Sequence, residues 1–167
     1  RLDSRDKYKG IDEILELMPG LLTVHPNLVY MIAGDGDDKA RLQRKAKQLG
    51  IESAVRFVGY VKELEKVAYY RLADIFVMPG RGEGFGIVYL EAVACAVSAI
   101  GSKVDGSREA LLDGKLGQLV DPGNKEEIQQ AILHAISQPM QGVPKEIEYY
   151  SSGLFQERLD AIIEEYS

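Results

Sequence analysis

Residues 81–95 read RGEGFGIVYLEAVAC. Gly82, Gly84 and Gly86 alternate through a turn, and two carboxylates, Glu83 and Glu91, stand eight residues apart across the apparent start of a helix. Glycines can bring bare backbone amides close to a ligand. At a helix N-terminus those amides and the positive end of the macrodipole favour an anion, with phosphate the default expectation. Glu83 belongs to the loop, and Glu91 falls about a turn and a half into the helix. Helical side chains tilt toward the N-terminus, so Glu91 leans back toward the same mouth. Ile87, Leu90 and Ala94 are expected to pack on a sheet, with Glu91 bordering that stripe. A half-buried acid needs partners, and a vicinal diol offers one carboxylate two hydroxyl donors. Two acids flanking a phosphate cradle suit a ligand with phosphates in its middle and hydroxyls at both ends, a sugar nucleotide.

Other readings of the glycines fail on spacing. The G-x-G-x-x-G fingerprint breaks because Phe85 or Ile87 stands where a glycine belongs, and GSKVDGS (101–107) has P-loop glycine spacing but no lysine after Gly106. No His, Cys and Asp cluster has metal-ligand spacing, so no metal and no other cofactor is expected. His25 precedes a proline in a turn and His134 falls on an exposed helix face; neither looks catalytic. Arg108 and Glu109 read as structural. Cys95, the single cysteine, reads as a small buried residue.

The elements that must position these groups follow from the pattern of apolar residues. At 167 residues, 46% hydrophobic and 28% charged, the chain has the composition of one globular domain, spanning 1–167. Ile11, Ile14, Leu15 and Met18 share one face of a first helix, which Pro19-Gly20 is expected to interrupt. Strands are expected at 28–34, 55–60, 74–80, 97–102 and 116–122, alternating with helices at 37–49, 62–73, 87 onward, 107–114 and 124–137. Asn124 caps the helix over 124–137, whose buried face carries Ile128, Ala131, Ile132 and Ala135. Of Tyr69 and Tyr70, one is expected in the core and one at the surface. A polar linker leads to a last amphipathic helix at 153–166. Short apolar strands alternating with helices imply an α/β fold, a Rossmann-like parallel sheet sandwiched by helices. Ligands of such sheets bind beyond the carboxyl ends of the strands, where the 81–95 turn lies.

Net charge of −6 argues against a nucleic-acid partner or a general anionic-membrane surface. One cysteine and no apolar leader fit a reducing, cytoplasmic setting. The chain opens on Arg1 inside a polar loop, which reads as a fragment with sequence missing upstream.

In order along the chain, RLDSRDKYKG, YMIAGDGDDKARL, VRFVGYV, LADIFVMPGRGEGFGIVYLEA, VDGSREAL and GQLVDP resemble the retaining glycosyltransferases of GT-B fold, in particular glycosyltransferase family 4. EGFGIVYLEAVAC is similar to that family's E-x7-E motif. The resemblance covers nearly the whole chain and implies the C-terminal, donor-binding half of a GT-B enzyme. It implies that Glu83 contacts the transferred sugar and Glu91 the ribose, and that Gly84, Phe85, Gly86 and Ile87 face sugar and phosphates. Arg1 and Lys9 match the basic pair that grips the diphosphate, in place of a metal ion. Gly34 borders the site, and backbone near Val58 in FVGYV faces the base. CAVSAIGS departs from the pattern, with Ala96 and Ser98 where glycine and proline are usual. The expected activity is transfer of a hexose from a UDP- or GDP-sugar to a hydroxyl acceptor left open, polysaccharide among others. The expected partners are that donor and a missing N-terminal acceptor domain, through which alone membrane docking would arise. The fragment itself is expected to bind donor weakly and to transfer little. A nucleotide-sugar epimerase and a non-catalytic sugar-nucleotide module are the alternatives.

Overall fold

The computed structural model describes residues 2–3 and 9–165. Its elements run α1 (Ile11–Val24), β1 (Tyr30–Ala33), α2 (Lys39–Gln48), β2 (Val55–Gly59), α3 (Lys66–Arg71), β3 (Ile75–Val77) and α4 (Ile87–Ala94). They continue with β4 (Ser98–Ser102), α5 (Ser107–Ala110), β5 (Gln118–Val120), α6 (Lys125–Ser137) and α7 (Ser152–Glu165). The expected alternation of strand and helix is present from α1 to α6. Among the described residues every ladder is parallel, β1 with β2 and then β3 with β4 and β4 with β5, and a lone antiparallel bridge joins Gly34 to Gly59. Among the described residues the strands form two ladders, β1-β2 and β3-β4-β5. Leu2 and Gly10 lie near the carboxyl ends of these two ladders. The Leu2 amide donates to Asp35 O just past β1 (3.0 Å), and Gly10 packs so tightly on Pro79, just past β3, that an added Cβ would sit 2.6 Å from its carbonyl oxygen.

Apolar clusters cover both faces. One gathers Ile14, Leu15, Met18 and Leu21 of α1, Leu42 of α2, Ile100 of β4 and Ile128 and Ile132 of α6. The other holds Tyr89 and Val93 of α4, Ala99 of β4, and Ala110, Leu111 and Leu116. Adjacent β4 residues Ala99 and Ile100 serve opposite clusters, as strand pleating requires. The Asn124 side chain accepts from the Glu127 amide (3.1 Å), and Ile128, Ala131, Ile132 and Ala135 are the buried face of α6.

Two expectations about the helices need correction. Helix α1 does not stop at Pro19; it continues to Val24 with the proline inside. An internal proline costs about 3 kcal/mol, but α1 buries Ile14, Leu15, Leu17, Met18 and Leu21, each worth about 1.5–3 kcal/mol. On α4 the buried residues are Tyr89, Ala92 and Val93, whereas Ile87 is 66% exposed. Cys95 is half-buried rather than fully buried, and Tyr69 and Tyr70 are both half-buried. The turn after α4 puts Ala96 at φ 61, where glycine is usual in the resembling family. A Cβ in that left-handed region costs roughly 1–2 kcal/mol.

A charge network ties α1 to α2. Asp12 accepts from Arg41 (2.8 and 2.6 Å) and from Lys45 (2.6 Å), while Arg41 also donates to Asp38. The Arg41 guanidinium is the main reason that the Asp12 carboxyl is held down to about 2. With the folded value depressed, this stabilisation is full above about pH 4 and disappears as pH falls toward about 2. The pair is partly exposed, and solvent screening limits the effect to about 1 kcal/mol. Melting curves are expected to show a shallower stability loss between about pH 4 and pH 2 in Asp12→Asn than in the unaltered chain. Identical acid limbs would contradict the assignment.

Candidate functional site

Strand β3 delivers the chain through Pro79 into the glycine turn at the carboxyl end of its ladder. Gly86, at φ 89, is the residue from which α4 starts, and an added Cβ would lie 2.5 Å from the Tyr89 ring. Only glycine fits there. Tyr89, fully buried, donates to Met78 O (2.6 Å) and accepts from Ser107 Oγ (2.8 Å). Burial raises its pKa, so it stays a neutral donor. This tyrosine anchors the first turn of α4 to the end of β3.

Past Glu83, Gly84 and Ile87 are exposed, Phe85 is half-buried and Gly86 is buried. Among the described residues the amides of Gly84, Phe85, Gly86 and Ile87 donate to no protein acceptor. They lead into the N-terminus of α4, where orphan amides and the helix dipole favour an anion. The Phe85 ring packs edge-on against Tyr150, centroids 5.7 Å apart. Tyr150 belongs to a 3-10 turn at Lys145–Tyr150 within the stretch expected to be a polar linker. The Gly82 amide, by contrast, is taken. It and the Glu83 amide both donate to Asp105 Oδ2 at 3.1 Å, so the free cradle begins at Gly84.

Glu83 is half-buried in this turn, beside Gly86. Glu91 lies four residues, about 6 Å of helix rise, beyond Ile87 and faces α3. Its Oε2 accepts from the Tyr70 hydroxyl (2.7 Å) and its Oε1 from Lys66 Nζ (3.2 Å). Neither partner was legible in the sequence, because both contacts bridge more than 20 residues. A carboxylate has about four acceptor positions, so roughly one on each oxygen stays open for a diol. Burial and the bond to Glu91 raise the Tyr70 pKa, which keeps that hydroxyl a donor.

The remaining expected residues divide. Lys9 is half-buried and immediately precedes Gly10 against Pro79, which puts its backbone beside the same loop. Arg1 lies outside the described residues. Gly34 directly follows β1, but its amide donates to Gly59 O (2.7 Å). Val58 is half-buried near the end of β2. Arg81, which sequence reasoning passed over, joins the glycine turn to α1 through Glu13 (3.0 Å). No described helix is long and apolar enough to cross a membrane.

Glycosyl transferases group 1 is the family that matches this chain, over residues 3–152. The chain is 36% identical over 138 residues to the GDP-mannose-dependent alpha-(1-6)-phosphatidylinositol monomannoside mannosyltransferase of Mycolicibacterium smegmatis, covering 78% of this chain and 36% of that protein. Among solved structures it resembles the C-terminal domain of the glycosyl transferase group 1 family protein LpcC from Francisella tularensis. That match has TM-score 0.69 and 29% identity and covers 86% of this chain and 73% of that one. A lipopolysaccharide outer core galactosyltransferase, WaaB, shares the fold with TM-score 0.75 at 22% identity, over 96% of this chain and 46% of that one. The chain therefore belongs to the group 1 glycosyl transferases and has the fold of the C-terminal half of a GT-B enzyme. It spans about a third of the length of the curated relatives that it matches.

Proposed function

We propose that this chain is the donor-binding half of a retaining glycosyltransferase that moves a hexose from a nucleoside-diphosphate sugar to a hydroxyl acceptor. The observation that carries this reading is the run of four amides, Gly84 to Ile87, unpartnered among the described residues, with a half-buried acid before it and another after it in the chain. The diphosphate rests on these amides, Glu83 meets the hydroxyls of the transferred sugar, and Glu91 takes the ribose diol. Lys9, together with Arg1, grips the diphosphate. Departure of a nucleoside diphosphate builds negative charge, and fixed amides and cations aimed at it lower the barrier. Gly34 and Val58 border the nucleoside end.

The mannosyltransferase relative is named for GDP-mannose, which makes GDP-mannose the first donor to try. The acceptor is bound by the other half of the enzyme, together with any membrane association. Half of a cleft leaves much of the ligand in water, so calorimetric titration of this chain is expected to give saturable but weak binding, with Kd on the order of 0.1–1 mM, and no transfer. Transfer at the full enzyme's rate by this chain alone would contradict the half-site reading. Absence of binding across UDP- and GDP-sugars at several millimolar would contradict the donor-site reading.

A further inference from the structure

The turn Asp105-Gly106, between β4 and α5, has no part in the donor contacts described above, yet it grips both backbone groups of Glu83. The Glu83 amide donates to Asp105 Oδ2 (3.1 Å), and the Glu83 carbonyl accepts from the Gly106 amide (2.9 Å). The same Oδ2 takes the Gly82 amide (3.1 Å), while Oδ1 caps the Ser107 amide (3.0 Å). One carboxylate thus accepts three amides, two of them from the acid-bearing loop and one from its own helix. Charge-assisted bonds of this kind are stronger than neutral ones. Closeness is enforced at Gly106, where an added Cβ would fall 2.0 Å from Gly84 O. Ser107, fully buried, reaches the hydroxyl of Tyr89, which in turn holds Met78 O at the end of β3. The loop is therefore fastened to the β4–α5 turn on both sides of Glu83, and the Glu83 side chain takes no part in those bonds.

From this geometry we infer that Asp105 is a positioning residue for the reaction: it aims Glu83 by fixing its peptide unit, and touches no substrate. The inference rests on the reading of Glu83 as the acid that meets the transferred sugar. Asp105 also separates the amides of the turn. Those of Gly82 and Glu83 are saturated by an internal anion, which leaves those from Gly84 onward for an external one.

The test uses Asp105→Ala and Asp105→Asn in the full-length enzyme, with amide hydrogen exchange followed at Gly82 and Glu83. In Asp105→Ala these two amides are expected to exchange about 10-fold faster or more, for want of their acceptor. With the acid misplaced by about 1 Å, kcat is expected to fall about 100-fold, while donor KM changes less than about 3-fold because the amides from Gly84 onward remain. Asn keeps one acceptor oxygen and is expected to recover about 10-fold or more of the lost kcat. Should the alanine variant fail to fold, the asparagine variant still decides: slower exchange than in any opened loop with intermediate kcat supports the role. Faster exchange with unchanged kcat, or a loss confined to melting temperature, overturns it. If Glu83→Gln keeps full turnover, the reading of Glu83 falls and the positioning role with it, whatever the exchange rates show.

Discussion

Glu83→Gln in the full-length enzyme is expected to lower kcat by about two to three orders of magnitude, the range that follows loss of one preorganised charged contact to a transition state. Glutamine keeps the shape of the side chain and removes its charge. The fold should be indifferent, because every described bond that holds residue 83 in place uses its backbone: the amide to Asp105 and the carbonyl to Gly106. Glycosyl transfer builds positive character on the sugar as the diphosphate leaves, and a carboxylate at the sugar end answers it while the amides answer the phosphate. The expected signature is therefore a loss in kcat with an unchanged melting curve and little change in donor KM. Turnover within a few fold of the unaltered enzyme would show that Glu83 is a solvated turn acid.

Gly106→Ala is expected to damage both folding and turnover. The new methyl would stand 2.0 Å from Gly84 O and 2.8 Å from Glu83 O. Both are backbone atoms, so the glycine turn itself must move. Overpacking of this severity costs about 3 kcal/mol, or roughly 6–12 °C in melting temperature for a chain of this size. Since the displaced segment carries Glu83, kcat should fall by about 100-fold as well. Gly84→Ala is the informative contrast. An added Cβ there meets nothing within 4 Å, so stability should change by about 0.5 kcal/mol or less. The fold does not need a glycine at 84, whereas a ligand resting on that amide does. Gly84→Ala is expected to weaken donor binding while leaving the melting curve in place. Equal melting temperatures for Gly106→Ala and the unaltered chain would contradict the packing argument, and unchanged donor binding in Gly84→Ala would contradict the cradle.

Local signals in the chain were legible, and contacts between distant segments were not. The Asn124 cap and the buried face of α6 follow from spacing alone, since that helix has a polar side to contrast with its apolar one. Helix α4 has no such contrast. Ile87, Val88, Tyr89, Leu90, Ala92, Val93 and Ala94 are all apolar, so periodicity cannot choose a face. The choice falls to Tyr89, whose hydroxyl finds Met78 O and Ser107. Pro19 misled because a local rule for ending helices competes with burial spread along all of α1. The glycine turn before α4, with Glu83 in the turn and Glu91 on the helix, could be read directly as local structure. The tethering of Glu91 by Tyr70 and Lys66, and of the Glu83 peptide by Asp105, depends on how β2–α3, β3–α4 and β4–α5 come together in space. Nothing in the spacing of those residues announces it.

The central claim is that a diphosphate lies on the amides from Gly84 to Ile87, between Glu83 and Glu91. Amide chemical-shift mapping of this chain during titration with GDP, UDP and GDP-mannose tests it most directly. The account predicts saturable shifts that are largest at Gly84, Phe85, Gly86 and Ile87, with smaller ones toward Gly34 and Val58. Shifts centred elsewhere, such as the shallow cleft between β5 and α6 lined by Gln118, Glu127 and His134, or none at several millimolar ligand, would contradict it.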